Sequence, residues 1–154
     1  ISDEEYELGR IKYNDKILHR SRVIRYFTEP GTSKQKTQKD FLSVNKKIRK
    51  NKNYFFSAKD LALVETLKKD GFSIPKEIKY KEIAERYSVP DSLLALTRTK
   101  EYGLLALKFV EIIGEDEVEN LDPETIYFIT HILNESNLIK LRNTILSRAL
   151  PVRS

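Results

Sequence analysis

The sequence predicts an all-α fold of about six to eight helices, stacked as antiparallel hairpins in a short solenoid-like array. Three observations lead to this prediction. Apolar residues recur at helical spacing along most of the chain. Capping residues, proline and glycine interrupt the pattern after roughly 10 to 14 residues, which is typical of helices joined by short connections. Only residues 22–28 and 53–56 resemble strands, and neither has a hairpin partner nearby.

In the N-terminal part, we expect a helix over about residues 3–27, broken near residues 14–15, which takes in the first strand-like segment. Residues 30–33 (Pro-Gly-Thr-Ser) form the clearest loop of the chain. A second helix follows over residues 36–50. Its predicted apolar stripe consists of Phe41, Leu42, Val44 and Ile48.

The next helix is predicted from its caps. Ser57 is a good N-capping residue, Asp60 lies three positions later, and Gly71 suits a left-handed C-terminal cap. A turn over residues 72–75 then precedes a short helix over residues 78–87. Pro90 is placed at the start of a further helix, and residues 104–113 form another between two glycines, Gly103 and Gly114.

Two helices complete the predicted array. Asp122 followed by Pro123 is a strong start signal, because a capping carboxylate precedes a residue whose missing N–H is harmless there. Asn137 separates this helix from the last one, residues 138–150, which stops at Pro151. The predicted buried faces are Ile126, Ile129 and Leu133 in the first, and Leu138, Leu141, Ile145 and Ala149 or Leu146 in the second.

The order of these features carries a resemblance. A Pro-started helix, a Gly-opened Leu-rich helix ending in Gly, a second Pro-started helix and a closing helix with Leu and Arg occur at Pro90, Gly103, Gly114, Pro123 and Arg142. Over roughly residues 61–150, the chain resembles the helical-hairpin repeats of a tetratricopeptide-like alphaproteobacterial family. The resemblance implies a stacked helical array and a periplasmic or exported location, the alternative being cytoplasmic, and it carries over no catalytic residue. We expect one domain over residues 1–154, with a basic part (1–56) and hairpin repeats (57–154).

Several kinds of site are excluded or disfavoured by the residue types present. The chain has no cysteine, which excludes disulfides, zinc–thiolate centres and thiol nucleophiles. The sequence contains no run of 18 or more apolar residues, the length that a helix needs to span a bilayer. The five glycines never cluster as a phosphate-binding loop requires, and no G-x-S-x-G motif occurs. We therefore expect no enzyme, no cofactor and no small-molecule substrate.

The two histidines and the acidic loop are weak candidates for metal chemistry. His131 and Glu135 lie four residues apart on a predicted helix, but two ligands do not make a site. His19 is expected at the surface. The carboxylates of residues 115–122 follow a glycine instead of surrounding one, so their spacing does not fit an EF-hand. A solvated helix flank and a solvated loop are the simpler interpretations.

Charge is distributed unevenly along the chain. A basic segment over residues 34–52 contains eight cations and one acid, Asp40. Tyr54, Phe55 and Phe56 follow it, and single-strand binders combine phosphate contacts with aromatic stacking in this way. We nevertheless expect Phe55 and Phe56 to pack beneath the capped helix. The candidate basic residues are Lys34, Lys36, Lys39, Lys46, Lys47, Arg49, Lys50 and Lys52.

Two functions remain open on the sequence. The first is a non-enzymatic protein-binding or scaffold module, in which exposed tyrosines contact the partner and the acidic loop steers a basic one. The candidate contact residues are Tyr87, Tyr102, Tyr127, Glu115, Asp116 and Glu117. The alternative is nucleic-acid binding through residues 34–52, with affinity that falls steeply as salt rises.

Overall fold

All regular secondary structure that the structure describes is helical, which confirms the all-α prediction. The structure, a computed structural model, describes residues 13–87 and 121–150 together with residues 91, 95, 101 and 104. None of the described helices is long and apolar enough to cross a membrane. Two 3-10 turns, Leu18–Arg20 and Arg22–Ile24, precede helices α1 (Arg25–Thr28), α2 (Lys34–Arg49), α3 (Ala58–Lys69), α4 (Tyr80–Ala84), α5 (Pro123–Glu135) and α6 (Ile139–Ala149).

The prediction of a long first helix is wrong for the residues that the structure describes. Side chains there form hydrogen bonds with nearby backbone groups, and these bonds divide the segment into turns. The Asn14 carboxamide oxygen accepts the N–H of Lys16 at 3.0 Å. The hydroxyl of Ser21 donates to the Leu18 carbonyl at 2.7 Å and accepts the N–H of Val23 at 3.3 Å. Such bonds compete with a continuous helix, and the segment folds as two 3-10 turns followed by one turn of α-helix.

The predicted caps are present in the described helices. Ser57 caps α3: its hydroxyl accepts the N–H of Asp60 at 3.2 Å, and the Asp60 carboxylate accepts the N–H of Ser57 at 3.1 Å. Asp122 caps α5 by accepting the N–H of Thr125 at 2.9 Å. Asn137, at the turn between α5 and α6, has φ of 57°, a left-handed conformation that asparagine tolerates better than most residues.

Helix α2 buries one face and exposes the other. Thr37, Phe41, Val44 and Ile48 are buried, at successive spacings of four, three and four residues. Leu42, which the sequence places in the apolar stripe, is instead 43% exposed. It follows Phe41 by one residue and is therefore rotated about 100° around the helix, away from the buried face.

Helix α3 is central in the described fold. It contacts the first 3-10 turn, α4 and α5; α5 packs on α6, and α1 lies against α2 and α6. One buried cluster joins Leu18, Phe41 and Leu67 to Leu146 and Leu150, so the N-terminal and C-terminal parts share a core. The predicted helices after Pro90 and over residues 104–113 lie largely outside the described residues, and the solenoid-like stacking stays a prediction.

The closing helix buries a residue that its apolar pattern does not indicate. Ile145, Leu146 and Ala149 are buried as expected, but Leu141 is only partly buried and Arg142 beside it is fully buried. Arg142 takes this position because its guanidinium binds the carboxylate of Asp70 at the end of α3. A charge that is paired and hydrogen-bonded can be buried where an unpaired one cannot.

Candidate functional site

The eight cations of the basic segment are all exposed in the structure. Six of them lie on α2, Lys50 caps its C-terminal end, and Lys52 follows in the next turn. Basic residues in the last turn of a helix complement the negative end of the helix dipole, which accounts structurally for Lys46, Lys47 and Arg49. The dipole does not account for the cations earlier in α2.

Four of these cations share one side of α2. Lys36, Lys39, Lys46 and Lys50, with Ser43 between them, are spaced by three, four, three and four residues, which keeps them on one side of the helix. We call these four lysines the basic stripe. It lies on the side of α2 away from the buried residues and, at 1.5 Å per residue, extends about 21 Å along the helix axis.

Three of the other cations have protein partners. The Lys34 ammonium donates to the Asp70 carbonyl at 2.8 Å and lies 5.7 Å from the centre of the Phe72 ring. Lys47 pairs with Asp15 at 2.9 Å, and Arg49 pairs with Glu77 at 3.1 Å. These contacts attach α2 to neighbouring segments and give the three residues a structural role.

The basic stripe differs, because its four ammonium groups form no hydrogen bond or ion pair with residues of the described part of the chain. Like charges three or four residues apart on a helix repel and destabilise it slightly. An anionic ligand that lies along α2 would remove this repulsion. The arrangement therefore offers a linear series of positive charges to a polyanion.

Phe55 is the second exposed feature, and the prediction that it packs beneath α3 is wrong. Its side chain is 69% exposed, and the guanidinium of Arg86 lies 5.9 Å from the centre of its ring. The residues between α2 and α3 form no regular secondary structure, and neighbouring aromatic side chains there differ in their exposure. Tyr54 and Phe56 pack inward, with ring centres 6.4 Å apart, and Phe55 points outward.

A shallow groove of about 550 Å3 runs beside the N-terminal half of α2. Its lining combines side chains of α2 with the turn after α3: Lys34, Gln35, Gln38, Lys39, Gly71 and Phe72. Gln38 holds this turn through its amide, which donates to the Ser73 carbonyl at 3.0 Å and accepts the Ser73 N–H at 2.8 Å. Because Lys39 belongs to the basic stripe, the groove adjoins the line of positive charge.

The tyrosines expected to contact a protein partner are not exposed where the structure describes them. Tyr127 is 3% exposed. Burial raises the pKa of its hydroxyl, and the nearby Glu65 carboxylate adds a smaller contribution in the same direction. The ring of Tyr87 is half-buried, with its centre 6.0 Å from that of Tyr127. These two are core and core-edge residues. Tyr102 and the acidic candidates lie outside the described residues: Glu115, Asp116 and Glu117.

His131, which the sequence pairs with Glu135, instead pairs with Glu65 of α3. The hydrogen bond to Glu65 raises the pKa of His131, against the opposing effect of burial. The described residues include no group of three or more metal-ligating side chains. This histidine therefore connects α3 to α5, a role that no local pattern in the sequence indicates.

His19 is half-buried, and the prediction that it is a surface residue is wrong. Its Nδ1 lies 2.7 Å from Asp60 Oδ1 and 3.5 Å from the Ser57 hydroxyl. In a nucleophilic triad the serine and the carboxylate contact different ring nitrogens, but here both face the same one. The three residues are therefore a capping network. Asp60, noticed in the sequence only as part of a cap, is its centre.

Comparisons with known proteins add no relative to this description. The sequence matches no family model, and no curated protein or solved structure is detectably similar to it. The tetratricopeptide-like resemblance accordingly stays a prediction, and the case for a function depends on the exposed surface of α2 and Phe55.

Proposed function

We propose that this chain is a non-enzymatic α-helical module that binds single-stranded nucleic acid through the basic stripe of α2. The observation that carries the proposal is the set of four exposed lysines, unpaired within the described part of the chain, in one line of about 21 Å. A phosphate backbone is a linear polyanion, and each phosphate neutralised by a lysine releases condensed counterions, which favours binding. The fold supplies a rigid helix that holds these charges in register.

Phe55 supports single-stranded over double-stranded nucleic acid. An exposed aromatic ring offers a face on which an unpaired base can stack, and the bases of a duplex are already stacked on one another. The exposure of Phe55 and the adjacent Arg86 guanidinium fit this use. Stacking of this kind is tolerant of sequence, so we expect weak base preference and strong salt dependence.

The test is a salt titration of binding to a fluorescein-labelled single-stranded DNA oligomer, followed by fluorescence anisotropy. Changing all four basic-stripe lysines to glutamine removes up to four phosphate contacts. Each contact contributes about 0.7 to the log–log salt slope for single strands, so the slope is expected to fall by about 3. A duplex of the same sequence is expected to bind more weakly than the single strand.

A matched control removes the same charge from elsewhere on the surface. Lys16, Lys69, Lys76 and Lys140 are exposed and lie outside α2, and their joint change to glutamine is expected to leave the salt slope nearly unchanged. Equal slopes for the stripe variant and the unchanged protein would overturn the proposal. Equal reductions in the stripe and control variants would also overturn it, because net charge alone would then explain binding.

Protein binding is the second candidate, and we propose it for a separate reason. Leu42, 43% exposed on the flank of the basic stripe, gives α2 an apolar contact beside its charges. An acidic partner segment would use both, with the stacked helices as a scaffold. Capture from native cell extract with and without nuclease separates the candidates. A protein that survives nuclease and is lost on Leu42→Ser supports this one, whereas proteins that all disappear with nuclease contradict it.

A further inference from the structure

The groove beside the N-terminal half of α2 has walls that the fold holds in place. Gly71, with φ of 91°, and Phe72 close the C-terminal end of α3 by donating backbone hydrogen bonds to its last turn, at 3.1 and 3.0 Å. The Gln38 amide holds the next residue, Ser73, by two hydrogen bonds. Because these groups are already ordered, a ligand that enters the groove does not have to immobilise them, which lowers the cost of binding.

The charge of the groove is positive. Lys34 lies on one side, where its ammonium donates to the Asp70 carbonyl at 2.8 Å, and Lys39 lies further along α2. No carboxylate side chain belongs to the lining that the structure describes, so an anionic ligand is favoured over a cationic one. Lys39 is also part of the basic stripe. A polyanion that lies along the stripe therefore passes the open side of the groove.

Gln35 is the polar side chain of the lining that is available to a ligand. It is exposed, and its carboxamide forms no hydrogen bond within the described part of the chain, in contrast to that of Gln38. It precedes Lys39 by four residues and therefore lies on the same side of α2. A carboxamide both donates and accepts hydrogen bonds. Together, the two side chains match a ligand that presents a donor, an acceptor and an anionic group.

An adenine nucleotide presents all three of these groups. Adenine carries the N6 amino donor next to the N7 acceptor, and a glutamine carboxamide binds both through a pair of hydrogen bonds. The phosphate supplies the negative charge. Gly71 leaves space for a flat ring, because a Cβ at this position would meet no atom within 4 Å. The groove volume of about 550 Å3 lies within the range of about 300–1,000 Å3 that is typical of small-molecule sites.

We propose that the groove binds one adenine of the nucleic acid strand, with the Gln35 carboxamide on N6 and N7 of the base and Lys39 on its phosphate. This inference rests on the proposed function, because the basic stripe brings the strand to the groove. It goes further by assigning a base preference at one position, which stacking on Phe55 does not provide. An unpaired base can turn into the groove, since no partner strand holds it.

The test compares the affinities of the whole chain for two fluorescein-labelled single strands by fluorescence anisotropy. One is an oligomer of deoxyadenosine, and the other has 7-deazaadenine at every base, which lacks the N7 acceptor but keeps the N6 amino group, the charge and the flat ring. We expect the unchanged protein to bind the adenine strand about fivefold more tightly, the effect of one hydrogen bond. Gln35→Ala should bind both strands equally and keep the salt slope of the unchanged protein, because no charge is removed.

An exposed amide outside the groove provides the matched control. Asn53 lies between α2 and α3, and Asn53→Ala should retain the fivefold preference for adenine. In an NMR titration with the adenine strand, the amide signals of Gly71 and Phe72 should shift, and they should shift less in Gln35→Ala.

Two results would overturn the adenine site and leave the test of the basic stripe unaffected. The first is equal affinity of the unchanged protein for the two strands, and the second is the same preference for adenine in Gln35→Ala as in the unchanged protein. Binding to neither strand would instead overturn the proposed function, and the adenine site with it.

Discussion

The guanidinium of Arg142 is completely buried and binds the carboxylate of Asp70 through two parallel hydrogen bonds, of 2.8 and 2.7 Å. Asn134 also accepts from this guanidinium, at 3.1 Å, and the Tyr26 hydroxyl donates to Asp70 at 2.8 Å. Burial, reinforced by Asp70, raises the pKa of Tyr26 to about 12. This network joins α1, the end of α3, α5 and α6.

Removing one partner of this pair is expected to be strongly destabilising. Asp70→Ala leaves the Arg142 charge buried without its counter-ion, and the free energy of unfolding in urea should fall by about 3–5 kcal/mol. Lys140→Gln changes an exposed residue on α6, the helix of Arg142, and should alter the free energy of unfolding by less than about 0.5 kcal/mol. Replacing both partners, with Arg142→Met and Asp70→Leu, should restore part of the loss. A loss below about 1 kcal/mol in Asp70→Ala would contradict the pairing.

The pair of His131 and Glu65 predicts a stability that depends on pH. Glu65 raises the folded pKa of His131 above its ordinary value of 6.5, and Glu135 on the same helix adds to this effect. The pair therefore contributes fully below the unfolded pKa and loses its contribution as pH rises through the folded one. Urea unfolding of the unchanged protein and Glu65→Gln, measured between about pH 5 and 8, should show this loss only in the former.

His19 is the matched control for that titration, since it is the only other histidine of the chain. When His19→Gln is added to both proteins, the pH-dependent difference that Glu65→Gln causes should persist, although Asp60 loses a partner. Tyr127, which also faces Glu65, stays neutral in this range, because the ordinary pKa of a tyrosine, 10.0, already lies above it and burial raises that pKa further. Parallel stability profiles for the unchanged protein and Glu65→Gln would disprove the assignment.

The two faces of α2 predict opposite outcomes for neighbouring residues. Phe41→Ala empties a fully buried position and should lower the free energy of unfolding by about 3–5 kcal/mol. Leu42→Ala, one residue later and 43% exposed, should change it by less than about 0.5 kcal/mol. Urea denaturation of the two variants checks the rotation of the helix directly. Similar losses for both variants would show that Leu42 is buried, and the rotation of α2 that exposes the basic stripe would then be wrong.

Phe55 predicts an effect on binding without an effect on folding. Its side chain is 69% exposed, so Phe55→Ala should leave the unfolding free energy nearly unchanged. Loss of one stacked base should weaken single-stranded DNA binding about tenfold at constant salt, with an unaltered salt slope. Leu42→Ala should retain the affinity of the unchanged protein. Equal affinities for Phe55→Ala and the unchanged protein would exclude stacking and leave only the phosphate contacts.

Local patterns of the sequence were sufficient for the helical class, the caps of α3 and α5, and the concentration of lysines on α2. These features depend on residues within a few positions of one another, such as Ser57 with Asp60 or Asp122 with Thr125. The period of the apolar residues also predicted which side of α2 is buried, except at Leu42. For a residue at the edge of the apolar face, such as Leu42, burial depends on which segments pack against the helix, and the period alone does not show this.

Only the tertiary structure decided which charges are paired. Lys47 and Arg49 find Asp15 and Glu77, residues that lie far from them along the chain, whereas the basic stripe finds none among the described residues. The pairing of Arg142 with Asp70 likewise depends on two segments that are distant in sequence. The exposure of Phe55 was also decided only by the tertiary structure. Sequence periodicity reports the environment of a helix face, but a specific ion pair depends on which distant segment packs there, and that is determined by the folded core as a whole.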